Sequence, residues 1–419
     1  MNRRRRFLEL LVLGGCAFVL SKALLSFALP SEVPPVEGNA QWRLILTGCY
    51  LGVATVLLPW YRQTILVLRR NWSLVALVLL ALLSSLWAEI PDLVLRKSIG
   101  PLGTTFLGIA LAVCFSFQDQ LRLLSWIFRI IAVLSLVFIV LIPSYGLSQQ
   151  GELRGIFEYK NALGSMMALS VLVEWQRAAM TRIATVFKIA AVLLSAVLLV
   201  VSNSITPMVA LVGALLLMEI YKLGALRLRI PLYAIFVAAS ILVATGAAML
   251  AATSDTVTGV VGRSSNLTGR TEIWGLVLPY ISQRPVLGYG YSGFWLGASK
   301  ESMAIDHIMR GWVTYAHNGY LEMQLTLGAV GLLLTLVFLG IGMKRALSFS
   351  KHRQTFAALW PLAFQFYFIV HNLGECTILI QDLEWAICVS CVVGTNPMLL
   401  SFYAPQDDEL ALIPQGEPA

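Results

Sequence analysis

The chain has 419 residues, of which 58% are hydrophobic and 12% are charged, and its mean hydropathy is +0.79. This high apolar share, with about half the usual share of charged residues, excludes a soluble globular enzyme, a disordered protein and a nucleic-acid-binding module. The formal net charge of +8 is typical of the Lys/Arg excess on the cytoplasmic side of an inner-membrane protein, not of a nucleic-acid partner. The composition therefore predicts an all-α, polytopic integral membrane protein.

The N-terminus carries four consecutive arginines, Arg3 to Arg6, in front of a long apolar run. This start resembles a signal peptide, but no convincing cleavage site of small residues follows, so we interpret the run as an uncleaved first span. Because a bilayer core of about 30 Å needs about 20 apolar residues per helix, the chain is predicted to hold about twelve transmembrane helices. Their approximate bounds are 7–29, 43–61, 72–88, 98–117, 124–144, 161–176, 183–202, 207–221, 230–251, 318–343, 355–371 and 378–400.

Lys and Arg residues are concentrated in every second connection between these spans, beginning with the N-terminus. Since cytoplasmic loops carry the excess of basic residues, this alternation predicts that both termini are cytoplasmic and that the protein lies in a bacterial inner membrane. Residues 1–400 are expected to form one transmembrane domain, followed by a flexible cytoplasmic tail over 401–419. The connections at about 145–160 and 252–317 are then periplasmic, and the second is the one long periplasmic loop.

The first periplasmic connection ends in a polar cluster at the start of the sixth predicted span. Arg154, Glu158, Lys160 and Asn161 place two cations, a carboxylate and an amide close together in sequence. Basic residues on the outer side oppose the general charge bias, so they indicate a local anionic ligand. The residues alone leave two interpretations open: a phosphate or sugar site, or an interfacial belt in which Tyr159 and Lys160 anchor the helix.

Within the long loop, residues 270–282 are predicted to form a short amphipathic helix, because apolar residues recur at four-residue spacing. Thr268 is a candidate N-cap, and Pro285 is expected to stop the helix. Arg270 then lies in the first turn, where backbone N–H groups attract anions. The residues that recur are Ile273, Val277 and Ile281.

The same region carries two cationic motifs, Thr-Gly-Arg-Thr-Glu-Ile-Trp at 268–274 and Arg-Pro-Val-Leu-Gly-Tyr-Gly at 284–290. Arg270 and Glu272 are two positions apart, so on a helix they point to different faces and need not neutralise each other. An arginine can form paired hydrogen bonds with a diphosphate. The Gly-x-Gly of the second motif favours a plain turn over a phosphate cradle, because it lacks a strand–loop–helix context.

His317 and Asn318 lie where the long loop re-enters the membrane, and Gly328 and Gly331 follow them. A histidine at a water–membrane boundary can be a neutral base near pH 7. The alternative is a structural hydrogen bond at a helix start, where Asn318 also suits the N-cap position. The other histidines lack this pattern; they are His307 in the loop, His352 on the inner side and His371 in a second His-Asn pair.

Five of the six cysteines lie within apolar runs, and Cys376 lies in a predicted outer loop without a partner there. Buried cysteines of this kind behave as small hydrophobic residues. Cys388 and Cys391 have Cys-x-x-Cys spacing, but they lie within an apolar run, and the chain has no disulfide framework. We therefore expect no metal site and no cofactor.

Taken in order, the polar motifs resemble those of the O-antigen ligase / Wzy polymerase superfamily. The series is Arg-Gly-Ile-Phe-x-x-Lys-Asn-x-Leu-Gly, then Gly-Arg-x-x-x-Trp with Arg-Pro-x-x-Gly-x-Gly, then His-Asn-x9-Gly-x-x-Gly. The residues around Lys160 and Trp274 are most similar to the ExoQ-like exopolysaccharide-polymerase branch. The likeness spans roughly residues 84–340 and includes Ser-Leu-Trp-x-x-x-Pro at 85–91.

This resemblance implies a GT-C-like membrane fold and a metal-independent, inverting glycosyltransferase. Such an enzyme transfers undecaprenyl-diphosphate-linked glycan units onto an acceptor at the periplasmic face, and its donor carries its own leaving group. The implied partners are the undecaprenyl-diphosphate-linked oligosaccharide donor and a glycan or glycolipid acceptor, with polysaccharide-export or chain-length proteins as further partners.

The resemblance also implies site residues. His317 matches the family's proposed base for the acceptor hydroxyl, and Arg270 matches the arginine that binds the lipid-linked diphosphate. Many family members have another Arg before the eighth span, where this chain has Ser-Asn-Ser-Ile-Thr-Pro at 202–207, so Arg154 or Lys160 is the candidate replacement. The predicted catalytic residues are His317, Arg270 and Arg154. The predicted substrate-binding residues are Lys160, Asn161, Glu272, Trp274, Asn318 and Arg284.

Three alternatives to a polymerase remain open. An O-antigen ligase would transfer the finished glycan to lipid A–core. A polysaccharide transporter or flippase is compatible with twelve spans, although ion-coupled transporters usually place ionisable groups near the midplane and the two halves of this chain share no repeated motif. A non-catalytic assembly partner would not need His317, Arg270 and Arg154 on one side of the membrane.

Overall fold

The structure is a computed structural model that describes residues 3–28, 40–148, 151–223, 266–295, 300–309, 313–353, 357–397 and 399. Across these ranges the regular structure is helical, and the one bridge between extended residues joins Leu147 and Leu153. The all-α prediction is therefore confirmed for the described part of the chain. The predicted ninth span at 230–251 and the tail at 401–419 lie outside the described residues, as does the beginning of the long loop.

Sixteen α-helices make up the described ranges, joined by short 3-10 turns and loops. They are α1 (Arg3–Leu20), α2 (Leu25–Ala28), α3 (Ala40–Leu57), α4 (Tyr61–Arg70), α5 (Trp72–Leu83), α6 (Pro91–Cys114), α7 (Phe117–Leu141), α8 (Pro143–Gly146), α9 (Lys160–Gln176), α10 (Arg182–Val201), α11 (Ile205–Leu223), α12 (Asn266–Gln283), α13 (Lys300–Met309), α14 (Gly319–Arg353), α15 (Trp360–His371) and α16 (Leu383–Gly394).

Six helical segments of the described chain are long and apolar enough to cross a membrane. Three shorter apolar helices accompany them, at Trp72–Leu86, Ala357–His371 and Leu383–Gly394. The chain is therefore a multi-pass membrane protein, while the count of twelve spans stays a prediction. The six long segments are Ala40–Arg70, Pro91–Cys114, Phe117–Leu141, Arg182–Val201, Ile205–Leu223 and Gly319–His352.

The centre of the bundle is formed by helices whose residues are buried nearly all round, namely α9, α15 and α16 together with much of α6. Gly108 of α6 faces the Ala386 carbonyl and Val389 of α16 so closely that a Cβ there would lie 2.5 Å and 2.7 Å from them. Because lipid supplies no hydrophobic force between helices, such close backbone approach is what lets them pack tightly. The buried helices α9, α15 and α16 carry the polar loops described below at their ends.

A buried ion pair fixes α9 against α7. The Glu174 carboxylate accepts hydrogen bonds from Nε and Nη2 of Arg129, at 2.7 Å and 2.9 Å, and from the hydroxyl of Ser125. A charge within a membrane bundle is tolerated only when it is paired. Arg129 lies in the middle of α7, and these contacts give it a structural role, because they hold α9 against α7.

The helix α14 is broken at Gly328, where φ is 66° and ψ is −166°. The turn before it docks into the break: Tyr289 N–H donates to the Leu325 carbonyl at 3.0 Å, and Gly290 N–H donates to the Thr326 carbonyl at 2.8 Å. The Gly-x-Gly segment is thus a turn that packs on the kink, in agreement with the interpretation from sequence. It fixes the first turns of α14, which follow His317 directly.

Replacing Gly328 by Ala should destabilise the protein. Its backbone conformation is one that only glycine adopts readily, which costs other residues on the order of 1–3 kcal/mol, and an added Cβ would collide with the Val286 backbone. We expect a lower melting temperature in detergent for Gly328→Ala. Gly340→Ala, on the same helix with no atom within 4 Å of the added Cβ, is the control and should melt as the parent does; equal melting of both variants would contradict the argument.

The predicted sidedness can be tested with reporter fusions. The basic cytoplasmic bias predicts that an alkaline phosphatase fused at about residue 300 is active and that a β-galactosidase fused there is inactive. The same pair fused within 344–353, a basic segment carrying Lys344 and Arg345, should give the opposite result. A fusion at about residue 300 that behaves as cytoplasmic would rule out the predicted topology.

Candidate active site

Four polar segments that are far apart in sequence meet at one end of the bundle. They are the start of α9, the 202–206 segment that leads from α10 into the first residues of α11, the 313–318 segment before α14, and the 372–382 loop between α15 and α16. The first turns of α12 join them. All of them are connections that the charge pattern assigns to the outer side. The pairs in contact are up to 214 positions apart, so only the fold brings them together.

The carboxylate of Glu375 is the centre of this cluster. Its Oε1 accepts hydrogen bonds from Nη2 of Arg270 and from Nδ2 of Asn161, the latter at 2.9 Å. Its Oε2 lies 4.0 Å from Nδ1 of His317. Burial raises the pKa of Glu375, and the neighbouring Arg270 opposes that rise. One buried carboxylate therefore contacts or faces three of the residues predicted from sequence.

The predicted start of the helix that carries Arg270 was wrong: α12 already includes Asn266, so Thr268 lies inside the helix and Arg270 lies beyond the first turn. Arg270 is 8% exposed. Besides its ion pair with Glu375, its Nη1 donates to the Thr206 hydroxyl at 2.7 Å. Gly374 lets the loop approach this pair, because a Cβ there would lie 2.9 Å from Nη1 of Arg270 and 2.7 Å from the Thr206 oxygen. The guanidinium is thus fixed in direction, and a planar donor fork held in this way suits a diphosphate.

His317 has an unusual backbone and an unsatisfied side chain. Its φ of 49° is in the left-handed region, its ring centre is 4.3 Å from that of Tyr315, and its buried Nδ1 has no hydrogen-bond partner. The side chain remains 27% exposed, so a substrate can reach it. Burial, with a smaller contribution from Arg270, lowers the pKa of His317 to about 4. The imidazole is therefore neutral near pH 7, as a general base must be.

Asn318 caps α14. Its Oδ1 accepts from the backbone N–H groups of Tyr320 and Leu321 at 3.0 Å and 3.1 Å, and its Nδ2 donates to the Leu373 carbonyl at 3.1 Å. Gly319 N–H also donates to the carbonyl of Glu375 at 2.9 Å. Since Asn318 supplies the cap, the His317 side chain is not needed to start the helix.

Trp274 supports the His317 segment from α12. Its Nε1 donates to the Ala316 carbonyl at 2.9 Å, and Ala316 N–H donates to Glu322 at 2.9 Å. The apolar face of α12 packs below it, since Ile273, Val277 and Ile281 are all buried. Glu272 is exposed, so it faces away from Arg270 as the sequence spacing predicts.

Three further predicted residues have partners outside the Glu375 cluster. Lys160 pairs with Glu152 at 2.6 Å, and Arg284 pairs with Glu89 at 3.2 Å while lying 4.5 Å from the Tyr289 ring centre. Arg154 donates from Nε to the Tyr145 carbonyl at 2.8 Å and lies 4.9 Å from that ring. These contacts hold Arg154 and Lys160 within the 145–160 connection and at its end, and they hold Arg284 at the turn against the α14 break.

His371 is part of a buried polar set next to the cluster. Its Nε2 is 3.0 Å from the Ser165 hydroxyl and its Nδ1 is 3.0 Å from Glu384, and it is 1% exposed. These bonds join α15 to α9 and α16. The contacts give His371 a structural role in holding the loop that carries Glu375.

Sequence reasoning missed Glu375, Ser204 and Thr206. Ser204 donates to Oδ1 of Asn161 at 3.2 Å, so the 202–207 segment, which lacks the family's arginine, supplies two hydroxyls to the cluster instead. A signal for Glu375 does exist in the sequence: no Asp or Glu lies between Glu322 and Glu375, and it directly precedes Cys376 in a predicted outer loop.

Comparisons with known proteins found two partial similarities. Residues 190–336 match the family model described as O-antigen ligase, a range that contains Thr206, Arg270 and His317. The chain is also 31% identical over 105 residues to the exopolysaccharide production protein ExoQ of Rhizobium meliloti (strain 1021), a match that covers 24% of each protein. The chain thus spans about a quarter of the length of that relative. Over residues 190–336 the chain is therefore similar to the O-antigen ligase family, and over 105 residues it is similar to ExoQ.

Proposed function

We propose that the protein is a membrane glycosyltransferase that polymerises a polysaccharide. It takes undecaprenyl-diphosphate-linked glycan units and transfers them to an acceptor at the periplasmic face of the inner membrane, with both termini of the chain in the cytoplasm. The observation that carries this proposal is the meeting of Arg270 and His317 around Glu375 at one end of the bundle. A fixed cation beside a neutral imidazole supplies the two groups that displacement of a diphosphate requires.

In the proposed reaction, Arg270 binds the diphosphate and stabilises the negative charge that develops on it. The bond between the anomeric carbon and the phosphate oxygen breaks, and its electron pair stays on the diphosphate. The acceptor hydroxyl oxygen forms the new bond from the opposite face while its proton passes to Nε2 of His317. The anomeric configuration is inverted, no metal takes part, and His317 then returns the proton to water.

The remaining predicted residues take supporting roles in this proposal. Arg154 is the second cation for the donor, on the neighbouring loop, and Lys160 and Arg284 extend the basic surface along which the lipid-linked glycan lies. Asn161 holds the Glu375 carboxylate, Trp274 holds the His317 segment, and Asn318 fixes the start of α14. The exposed Glu272 is proposed to contact sugar hydroxyls.

The acceptor distinguishes a polymerase from a ligase. Similarity to ExoQ, an exopolysaccharide production protein, favours a polymerase, whose acceptor is another lipid-linked glycan. The family description O-antigen ligase supports the second candidate, transfer of a finished glycan to lipid A–core.

Deletion of the gene followed by analysis of lipid-linked glycans separates these functions. A polymerase leaves single repeat units on the carrier lipid, whereas a ligase leaves full-length chains on it. Complementation with the parent chain should restore the normal pattern. Unchanged periplasmic glycans in the deletion strain would count against both functions.

A further inference from the structure

The Glu375 carboxylate occupies the place on Arg270 that an anionic ligand would take. It accepts from Nη2 of Arg270, and the guanidinium is otherwise directed by Thr206 through Nη1. A diphosphate can use both arms of this fork only if the carboxylate moves away from it. A diphosphate carries more negative charge than one carboxylate, so it is the stronger partner for the same cation.

A second position for the same carboxylate lies next to it. Oε2 of Glu375 is 4.0 Å from Nδ1 of His317, about 1 Å beyond a hydrogen bond, and that Nδ1 is buried without a partner. A buried polar atom without a partner is costly, and such atoms call for an explanation. Both groups lie on segments that are bonded to each other, because Gly319 N–H donates to the Glu375 carbonyl.

We infer that Glu375 is a positioning residue that exchanges Arg270 for His317 when the donor binds. The diphosphate displaces the carboxylate from the guanidinium, and the released carboxylate accepts the Nδ1 hydrogen of His317. This deepens the proposed function and rests on it. The exchange couples donor binding to activation of the base, because His317 gains its carboxylate partner only when the donor is bound at Arg270.

The exchange changes His317 in two ways. A bond from Nδ1–H to a carboxylate fixes the tautomer in which Nε2 carries the free lone pair. It also stabilises the protonated ring, so the pKa of His317 rises from about 4 towards the operating pH, where a base works best. The diphosphate acts in the same direction, since it offsets the positive charge of Arg270. Among the described residues, the titratable groups that face His317 are Arg270, Glu375 and Tyr315.

A purely structural Glu375 makes a different prediction. If the carboxylate only balanced the charge of Arg270, its removal would leave a buried cation and would weaken folding and donor binding together. The exchange instead predicts that removal of the negative charge frees Arg270 and strengthens donor binding while it weakens the chemical step. Donor affinity and the rate of the chemical step therefore change in opposite directions if the exchange occurs, and fall together if Glu375 is purely structural.

The test compares Glu375→Gln with the parent protein in nanodiscs, with undecaprenyl diphosphate as the probe. Glu219→Gln is the matched control, because Glu219 forms an exposed ion pair with Lys222 three residues along the same helix, α11, and does not contact Glu375. We expect Glu375→Gln to bind the probe more tightly. With the undecaprenyl-diphosphate-linked glycan as substrate, it should lose roughly tenfold to a hundredfold in kcat, the loss seen when a carboxylate that orients a metal-ligating histidine is removed. Glu219→Gln should change neither quantity.

Nuclear magnetic resonance of ¹⁵N-labelled histidine gives a direct readout of the base. With His317→Gln used to assign its signal, the pKa of His317 should rise when undecaprenyl diphosphate binds to the parent, and the rise should be smaller in Glu375→Gln. An equal rise in both proteins, or weaker probe binding by a folded Glu375→Gln, would overturn the exchange and leave the diphosphate site standing. Binding of the probe that is equal in the parent and in Arg270→Ala would overturn the proposed function itself.

Discussion

A His317→Ala variant is expected to insert and fold normally yet to leave unpolymerised, lipid-linked repeat units in the membrane. Loss of a general base costs a factor of about 10²–10⁴ in rate, and the neighbouring Asn318 still caps α14. The measurement is polymer yield and the amount of lipid-linked glycan at equal protein level. His352→Ala, which removes an exposed imidazole bonded to the Ser348 carbonyl, is the control and should keep full yield.

His317→Asn distinguishes a base from a backbone role. Asn is one of the residues that tolerate a left-handed backbone, so it suits the φ of 49° at this position, and it is also a good capping residue. It cannot take the acceptor proton. We therefore expect His317→Asn to be folded and inactive, and an active variant would refute the assignment of His317 as the base.

The sequence predicted the parts of the site that depend on local patterns. The helix at 270–282 follows from its apolar spacing, and its predicted face is the buried one. The cap at Asn318 follows from the preference of helix starts for that side chain. The turn at 288–290 and the all-α fold follow in the same way from turn residues and composition. Each of these inferences uses residues that are neighbours in the chain.

The sequence could not assign partners to charged residues. Lys160 and Arg284 carry the charge that a donor needs, but Glu152 and Glu89 lie within reach of them, and no local pattern predicts which carboxylate a long side chain will meet. Glu375 was missed for the same reason, since its contacts to Arg270 and Asn161 cross 105 and 214 positions. Such pairings follow from how the helices pack and not from the order of residues.

The number of transmembrane spans illustrates a second limit on what the sequence alone can predict. Short buried helices such as α15 and α16 are apolar on every side, so hydropathy reports their burial but not whether they cross the whole bilayer. Six segments of the described chain meet the length criterion and three shorter apolar helices do not. The interior helices α15 and α16 position Glu375 because the loop that carries it connects their ends.

Arg270→Ala is expected to weaken use of the lipid donor. Loss of a charge-assisted contact costs on the order of 1.5–3 kcal/mol, which is about a tenfold to hundredfold loss in donor use. Arg270→Lys should recover only part of the donor use, because Lys cannot form the paired hydrogen bonds. The change also leaves Glu375 buried without its cation, so it should lower stability as well. Polymer yield and melting temperature must therefore be measured together.

The double variant Arg270→Ala/Glu375→Gln separates the two effects. Breaking one side of a buried ion pair is strongly destabilising, whereas removing both charges is far less so. We therefore expect the double variant to recover the melting temperature of the parent and to keep the low donor use of Arg270→Ala, because the cation that binds the diphosphate is still absent. If the double variant regained polymer yield with its stability, Arg270 would be only the counter-ion of Glu375, and its assignment to the diphosphate would be wrong.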